Sequence, residues 1–480
     1  MNSASSRIDI APISPISSKR FYKTKSFKAI RSVWFVFRVF LEFSSLHGFI
    51  HITARRRHPI EHTVWCVAVA MAIWGATTLS LQTWKRFQEN PTVVSMERNY
   101  KDWNTSFPSI AVCPNAKYNE ETLKNAVNNS MFSNIKDKEG FKKFLVELSN
   151  VTFGHFDELT FDFKELHPRH YLKAIVLSKY PFTYRVSNSN PEHYNVMDLN
   201  SFISELGICY SYNSDSTYYN NPSYWESNSW HNLGHFPVFQ SSPLDGDIFA
   251  QLRNMNAGYQ MFVYGPSEFP DIALSKLDSY NQSYKTLDLT ALSIVSSEAT
   301  EKLNIQQRKC RLQHESNLLT SPVYSYNLCR MECRMRECFR LCNCVPYFYR
   351  PVGQYPVCGF KGMQCLQKHT ERLTKLLDPA TGKRLQCPCL PLCHDVNYFI
   401  DTDNTMKWTL GTNLKLGLIK YPRFRLKREV LFGQTDLLVS IGGSAGLFLG
   451  CSLLSFAEIF YFFTIRLILF LRRGMKLGTN

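Results

Sequence analysis

The segment from Leu437 to Ala457 reads LLVSIGGSAGLFLGCSLLSFA and carries no charge across twenty-one positions. Within it Gly442, Gly446 and Gly450 recur at four-residue spacing, flanked by Gly443, Ser444, Ala445, Cys451 and Ser452. Small residues so spaced make a face on which helices approach closely, and helix pairing alone would account for that much. Three further features point to a water-lined path. Glycines this dense weaken a helix, so the backbone can unwind where it faces water. Ser452 and Ser455 add hydroxyls along the segment. Glu458 follows directly, and an ionised acid at membrane depth costs at least ~2.5 kcal/mol, which marks it as functional by default. A place near the inner interface, or a salt bridge to Arg466, is the alternative for this acid. Carbonyls freed by an unwound Gly-x-Ser turn would replace water around a cation.

Other chemistries are excluded by context. Gly442-Gly443-Ser444-Ala445-Gly446 matches a nucleophile elbow, but that motif needs a strand before it and acid and histidine partners after it. Here it lies inside an apolar run. Cys342-x-Cys344 and Cys387-x-Cys389 imitate zinc ligands, yet thiols at this density outside a cell oxidise. Neither a phosphate loop nor an HExxH pair occurs. No enzyme is expected, and no cofactor beyond a permeant ion.

These residues need elements to hold them. A second charge-free run, Thr63–Leu81, covers nineteen residues, and roughly 20 suffice to cross a bilayer as a helix. It begins too late and runs too long for a cleaved signal peptide, so a signal anchor is expected. Residues 1–62 carry eleven Lys or Arg against three acids, and Arg466, Arg472, Arg473 and Lys476 follow the glycine-rich run. Basic residues in short flanks mark the cytoplasmic side, so both termini are placed inside and the long middle outside. The net charge of +16 is therefore a topology signal; no basic cluster for nucleic acid is seen. Thirteen of fifteen cysteines lie between the runs, as do sequons at Asn104, Asn128, Asn150 and Asn281, which fits an oxidising compartment and a disulfide framework. One glycine-bearing span per chain cannot enclose a channel, so an oligomeric ring is implied.

Between these landmarks the pattern is mixed. Phe27–Phe43 alternates aromatic and basic residues and reads as an amphipathic helix on the inner membrane surface, drawn to anionic lipid, or as a helix packed on a partner. Gln88–Pro91 reads as a turn. FPSIAVCP (Phe107–Pro114), GYQMFVY (Gly258–Tyr264) and Tyr284–Val295 read as strands. Glu139–Leu148 and Tyr326–Cys342 read as helices, and residues 210–245 as a solvated, loop-rich excursion. The result is an α+β domain of about 350 residues, large enough for a core, with strands near both membrane runs forming a sheet.

At this point the chain resembles the degenerin, epithelial sodium channel and acid-sensing channel superfamily, and within it the insect pickpocket branch. SSLHGF (Ser44–Phe49), FPSIAVCP, YNLCRMECRMRECFRLCNCVPYF (Tyr326–Phe348), CPCLPLC (Cys387–Cys393) and LLVSIGGSAGLFLGCSLLSFAEIFYFF (Leu437–Phe463) carry the resemblance. It implies a trimeric, acid-sensing-channel-like architecture with two transmembrane helices per chain and a large disulfide-rich α+β extracellular domain in the plasma membrane. The divisions expected are a cytoplasmic N-terminus over 1–62 with a re-entrant His-Gly motif and a first transmembrane helix over 63–84. An extracellular domain follows over 85–436, with a cysteine-rich thumb-like part at about 303–395. A pore helix over 437–471 and a cytoplasmic tail over 472–480 complete the chain.

The resemblance also assigns sites. Gly450, Cys451 and Ser452 become the selectivity filter and Glu458 the acid below it. His47 and Gly48 support the inner pore and influence gating. The position where bulk locks such channels open falls at Val439 or Ser440. Family pairing joins Cys113–Cys209, Cys310–Cys393, Cys329–Cys389, Cys333–Cys387, Cys342–Cys365 and Cys344–Cys358, leaving Cys338 unpaired. Two departures stand out: no extra cysteine pair in the finger region, and no recognisable cluster of acids of the proton-sensing kind. The function implied is a subunit of a sodium-selective, amiloride-sensitive channel, homo- or heterotrimeric, gated by an extracellular stimulus. The alternative is a non-conducting regulatory or receptor subunit that needs a pore-forming partner.

Overall fold

The computed structural model describes residues 37–54, 57–188, 199–227, 237–350, 352–353, 355–379 and 381–469. Most of the basic amphipathic stretch, Arg55, Arg56 and the tail expected over 472–480 lie outside the described residues. The chain forms two compact units. One joins residues 1–91 to 432–480; the other is Thr92–Leu431.

The first unit is helical. Pro59–Glu89 is one uninterrupted helix of 31 residues, opened by Pro59 at its first position and closed at Asn90. It is long and apolar enough to cross a membrane. It starts earlier and ends later than 63–84, because nothing in Trp84–Glu89 breaks a helix. The turn expected from Gln88 therefore begins only at Asn90. Gln434–Leu449 and Leu453–Leu469 pass the same test only when taken together, and they are bent by 76° at the break between them. The helix expected over 437–471 is interrupted at Gly450–Ser452, the Gly-x-Ser turn at which unwinding is expected.

The second unit is built on strands β1 (Thr92–Glu97), β2 (Thr105–Ser106), β3 (Ser109–Pro114), β4 (Arg185–Asn188), β5 (Asn200–Ser204), β6 (Gly207–Tyr212), β7 (Gln240–Ser241), β8 (Ile248–Met255), β9 (Tyr259–Tyr264), β10 (Leu277–Ser279), β11 (Ser283–Ser296), β12 (Asp395–Lys407), β13 (Thr412–Lys420) and β14 (Arg425–Val430). The larger sheet runs β1-β14-β11-β13-β8-β4, with β12 on the other side of β11; a second runs β10-β9-β3-β6-β5. The first and last strands pair antiparallel, Thr92 opposite Val430 and Glu97 opposite Arg425. β11 alternates as a two-faced strand should: Leu287, Leu289 and Ala291 point inward and pack with Leu414, Leu416 and Leu418 of β13. β3 is buried along its whole length, consistent with its continuous apolar run.

Helices cover the second sheet. Lys138–Asn150 is capped by Asp137, whose carboxylate accepts from Gly140 N–H at 2.8 Å. Its Phe141, Phe144, Leu145 and Leu148 are fully buried, the i, i+3, i+4, i+7 stripe of a core-facing helix. Tyr326–Cys342 is capped by Ser325 and ends at Asn343 in the left-handed region, φ 56°. The six disulfides join Cys113–Cys209, Cys310–Cys393, Cys329–Cys389, Cys333–Cys387, Cys342–Cys365 and Cys344–Cys358. Cys338 is a buried free thiol, and Cys66 and Cys451 are free as well.

The solvated excursion expected at 210–245 is corrected over its first part. Ser211, Asn213, Ser214, Ser216, Thr217 and Asn220 are buried. Their polar groups are satisfied inside: Asn213 Nδ2 donates to Phe107 O at 2.6 Å, and Phe239 N–H donates to Asn213 Oδ1 at 2.8 Å. Ser211 and Thr217 hydroxyls bond each other at 2.5 Å. Composition suggested water as the partner; neighbouring backbone takes that place.

Candidate functional site

The break in the glycine-rich helix is made by three residues. Gly450 adopts φ +63°, ends Gln434–Leu449, and its N–H reaches Gly446 O at 2.9 Å. A left-handed residue at a helix end is where glycine is favoured. Ser452 then caps the next helix: its hydroxyl accepts from Ser455 N–H at 3.3 Å, and its own N–H reaches Ser455 Oγ at 3.2 Å. Cys451 lies between the two caps, partly exposed. Helix ends leave carbonyls without helical partners, so the break frees backbone oxygen of the last turn from the helical ladder inside an apolar element.

One of those carbonyls is answered by the SSLHGF segment. His47 N–H donates to Leu449 O at 3.0 Å. The imidazole lies so close to Gly450 that an added Cβ would collide with it. Gly450 is thus required twice, by its backbone and by this approach. Two residues earlier, Ser45 N–H donates to Glu458 Oε2 at 3.1 Å, and Ser45 and Ser455 hydroxyls bond at 2.8 Å. Glu458 is therefore held by the SSLHGF loop. The alternative partner Arg466 sits over the Phe462 ring at 4.7 Å. Gly48, at φ +86°, turns the chain into Phe49–Thr53, and a Cβ there would come within 2.8 Å of Val69 Cγ2. Phe40, Leu41, Leu46 and Phe462 bury one another beneath this loop.

The two long elements also meet higher up. Thr83 Oγ1 and Ser440 Oγ are 3.4 Å apart, while Val439 is 73 % exposed. A Cβ on Gly75 would come within 2.7 Å of the Phe448 ring. Sequence reasoning missed Ser45, Gly75, Thr83 and Phe448. Gly75 had a signal, since it is the one glycine in the Thr63–Leu81 run. Ser444 Oγ is turned back to Ser440 O at 2.9 Å, a helical back-bond and no nucleophile.

The disulfide-bonded unit holds acids that the sequence did not reveal as a cluster. Arg334, fully buried, pairs with Glu205 and, at 2.8 Å, with Asp271, which also receives Arg330 Nε at 2.8 Å. Tyr349 OH donates to Glu205 Oε1 at 2.6 Å. Burial alone would raise Asp271, but Arg334, the Ala273 N–H and Arg330 hold its carboxyl below the usual range. Burial and the charge of Asp395 push Glu268 up to about 8. Burial likewise raises the thiol of Cys338. Among the described residues no group of three or more His, Cys, Asp or Glu is placed to hold a metal. Asn104, Asn128, Asn150 and Asn281 are all exposed.

Comparison with known proteins places this geometry. The sequence model of the family described as amiloride-sensitive sodium channel matches residues 40–462. Sodium channel protein Nach of Drosophila melanogaster is 21 % identical over 90 % of this chain and 87 % of its own. Pickpocket protein 28 of Drosophila melanogaster is 21 % identical over 89 % and 78 %. The bile acid-sensitive ion channel of Mus musculus is 22 % identical over 88 % and 86 %. The matched span runs from Phe40, under the SSLHGF loop, to Phe462, beyond Glu458, so it takes in the whole broken-helix site. The chain belongs to the amiloride-sensitive sodium channel family, in its insect pickpocket-like branch, and is a membrane ion-channel protein rather than an enzyme.

Proposed function

We propose that the chain is a pore-forming subunit of a sodium-selective, amiloride-sensitive channel, with sodium moving passively down its gradient. The observation that carries this reading is the capped break at Gly450–Ser452, which presents backbone oxygen where an apolar helix would otherwise hide it. Gly450, Cys451 and Ser452 act as the selectivity filter. Glu458 lies below it, and its bond to Ser45 makes it a latch for the re-entrant loop as well as a pore acid. His47 and Gly48 hold the filter from the cytoplasmic side and transmit gating. Ser440, beside Thr83, is the better of the two positions at which bulk forces the helices apart; Val439 is the other.

The proposal includes two spans, Pro59–Glu89 and the bent pair, with both termini in the cytoplasm and Thr92–Leu431 outside. Three chains, identical or related, surround the glycine-bearing helices, and the exposed apolar faces of those helices meet plasma-membrane lipid. The four sequons carry glycans on the outer domain. The stimulus acts on that domain and reaches the pore through both spans; the name of the mouse relative makes a chemical stimulus a reasonable first trial.

The test is current recording from oocytes expressing the chain alone, with Ser440→Val, Ser440→Phe and Val439→Phe in parallel. A constitutive, amiloride-blocked inward sodium current from the Ser440 variants is the expected result. Silence from every variant, with surface expression verified, would overturn the homomeric pore and leave the partner-dependent subunit.

A further inference from the structure

A cavity of about 170 Å³ opens in the disulfide-bonded unit, apart from the pore. Its walls come from the Trp103–Ser106 segment, the Gly265–Ser267 turn, the end of β11, the start of β12 and Arg425 of β14. Arg425 and His394 line it, and each already faces an acid. Arg425 Nε is 2.7 Å from Glu97 Oε2 with its guanidinium 4.3 Å over the Trp103 ring, and His394 Nε2 is 2.9 Å from Glu301 Oε1. Asp395 is the exception. Its Oδ1 accepts only the Val396 N–H, at 2.8 Å, and no cation lies within ion-pairing distance among the described residues. Burial raises its carboxyl above the usual range, and its charge acts on Glu268, another acid. Glu268 is itself occupied by the N–H groups of Tyr326 and Asn327, at 3.2 and 3.1 Å. On the same wall Ser293 is only 9 % exposed, and its hydroxyl makes no hydrogen bond among the described residues.

A half-buried carboxylate without a counter-ion is costly. The Ser293 hydroxyl beside it has no protein partner among the described residues and can take a further hydrogen bond. Both are served by one ligand, a positive N–H donor with an apolar body. We propose that this cleft binds a small organic ammonium ion, its charge on Asp395, one N–H donated to Ser293 Oγ, and its body against Trp103, Ile294 and Pro266. A cavity of about 150 Å³ accepts benzene, so an amine of roughly six to ten heavy atoms fits the space.

Binding is read on the purified, deglycosylated full chain in lipid nanodiscs, since Asn104 at the rim lies in a sequon. The readout is independent of conduction, so its answer stands apart from that of the pore proposal. The probe is phenethylammonium, titrated beside 2-phenylethanol, which has the same shape without the charge. Saturable amine binding, at least about tenfold tighter than the alcohol and lost in Asp395→Asn, is the expected result. Equal binding of both probes to the unmodified chain, or no saturable amine binding below about 10 mM, overturns it. If Asp395→Asn fails to fold, the two-probe comparison on the unmodified chain still decides, and Ser293→Ala is expected to weaken the amine and leave the alcohol unchanged.

Discussion

The two units of this chain are held in opposite ways. Thr92–Leu431 carries six disulfides and a fully buried arginine bridged to two acids. The helical unit has no disulfide among its described residues; its helix break rests on one backbone bond, two serine contacts and a glycine under an imidazole. Each such hydrogen bond contributes only about 0.5–1.5 kcal/mol net. A disulfide closing a long loop contributes about 2–5 kcal/mol. The disulfide-bonded unit is thus built to keep its shape, and the broken helix to change its shape at small cost.

Four experiments probe that contrast, from the largest effect to the smallest. Gly450→Val combines a left-handed backbone, unfavourable by about 1–2 kcal/mol for a side-chain-bearing residue, with a collision against the His47 ring. Sodium current from an otherwise open variant should disappear while surface expression persists, and His47→Ala should restore part of it. Unchanged current would mean that the helix is not broken at Gly450.

Removing the Cys310–Cys393 bridge by paired serine substitution should lower the unfolding free energy of the disulfide-bonded unit by about 2–5 kcal/mol. Thermal unfolding of the purified chain measures it, and an unshifted transition would deny that covalent closure stabilises this unit.

Glu268 gives a pH signature. An unfolded glutamate titrates near ~4.3, whereas burial carries this one up to about 8 in the fold. The folded state then binds the extra proton, so its stabilising contribution is complete below pH ~4.3 and fades as pH rises through about 8. Glu268→Gln should flatten that decline by an amount on the order of a few kcal/mol or less. A decline of the same slope in the variant would assign it to other groups.

The smallest effect belongs to the latch. Ser45→Ala and Ser455→Ala should each shift the gating equilibrium by about 1 kcal/mol and be non-additive, because they share one hydrogen bond. Strict additivity would show the contact to be idle.

Much of this was legible from residue order because it depends on local rules. The β11 alternation, the core stripe of Lys138–Asn150 and the whole of Tyr326–Cys342 follow from periodicity and capping. The cysteine pairs came through resemblance, since spacing alone does not select among partners far apart in sequence. What stayed hidden was tertiary. Nothing local says that Asn213 turns inward to the Phe107 carbonyl, or that Arg334 collects Glu205 and Asp271 from two distant segments. Glu458 was visible as an acid at membrane depth, but its bond to Ser45 spans more than four hundred residues of chain. Gly75 was visible as a glycine, and only the approach of Phe448 gives it a reason.

The central claim is that the break at Gly450–Ser452 selects the ion. Its most direct test is the reversal potential with sodium outside and potassium inside, recorded for the open Ser440→Val variant with and without Ser452→Ala. The account predicts a clearly positive reversal that moves toward zero when the Ser452 hydroxyl is lost, as potassium gains passage. The same reversal in both variants, with current intact, would contradict it and place selectivity elsewhere in the chain.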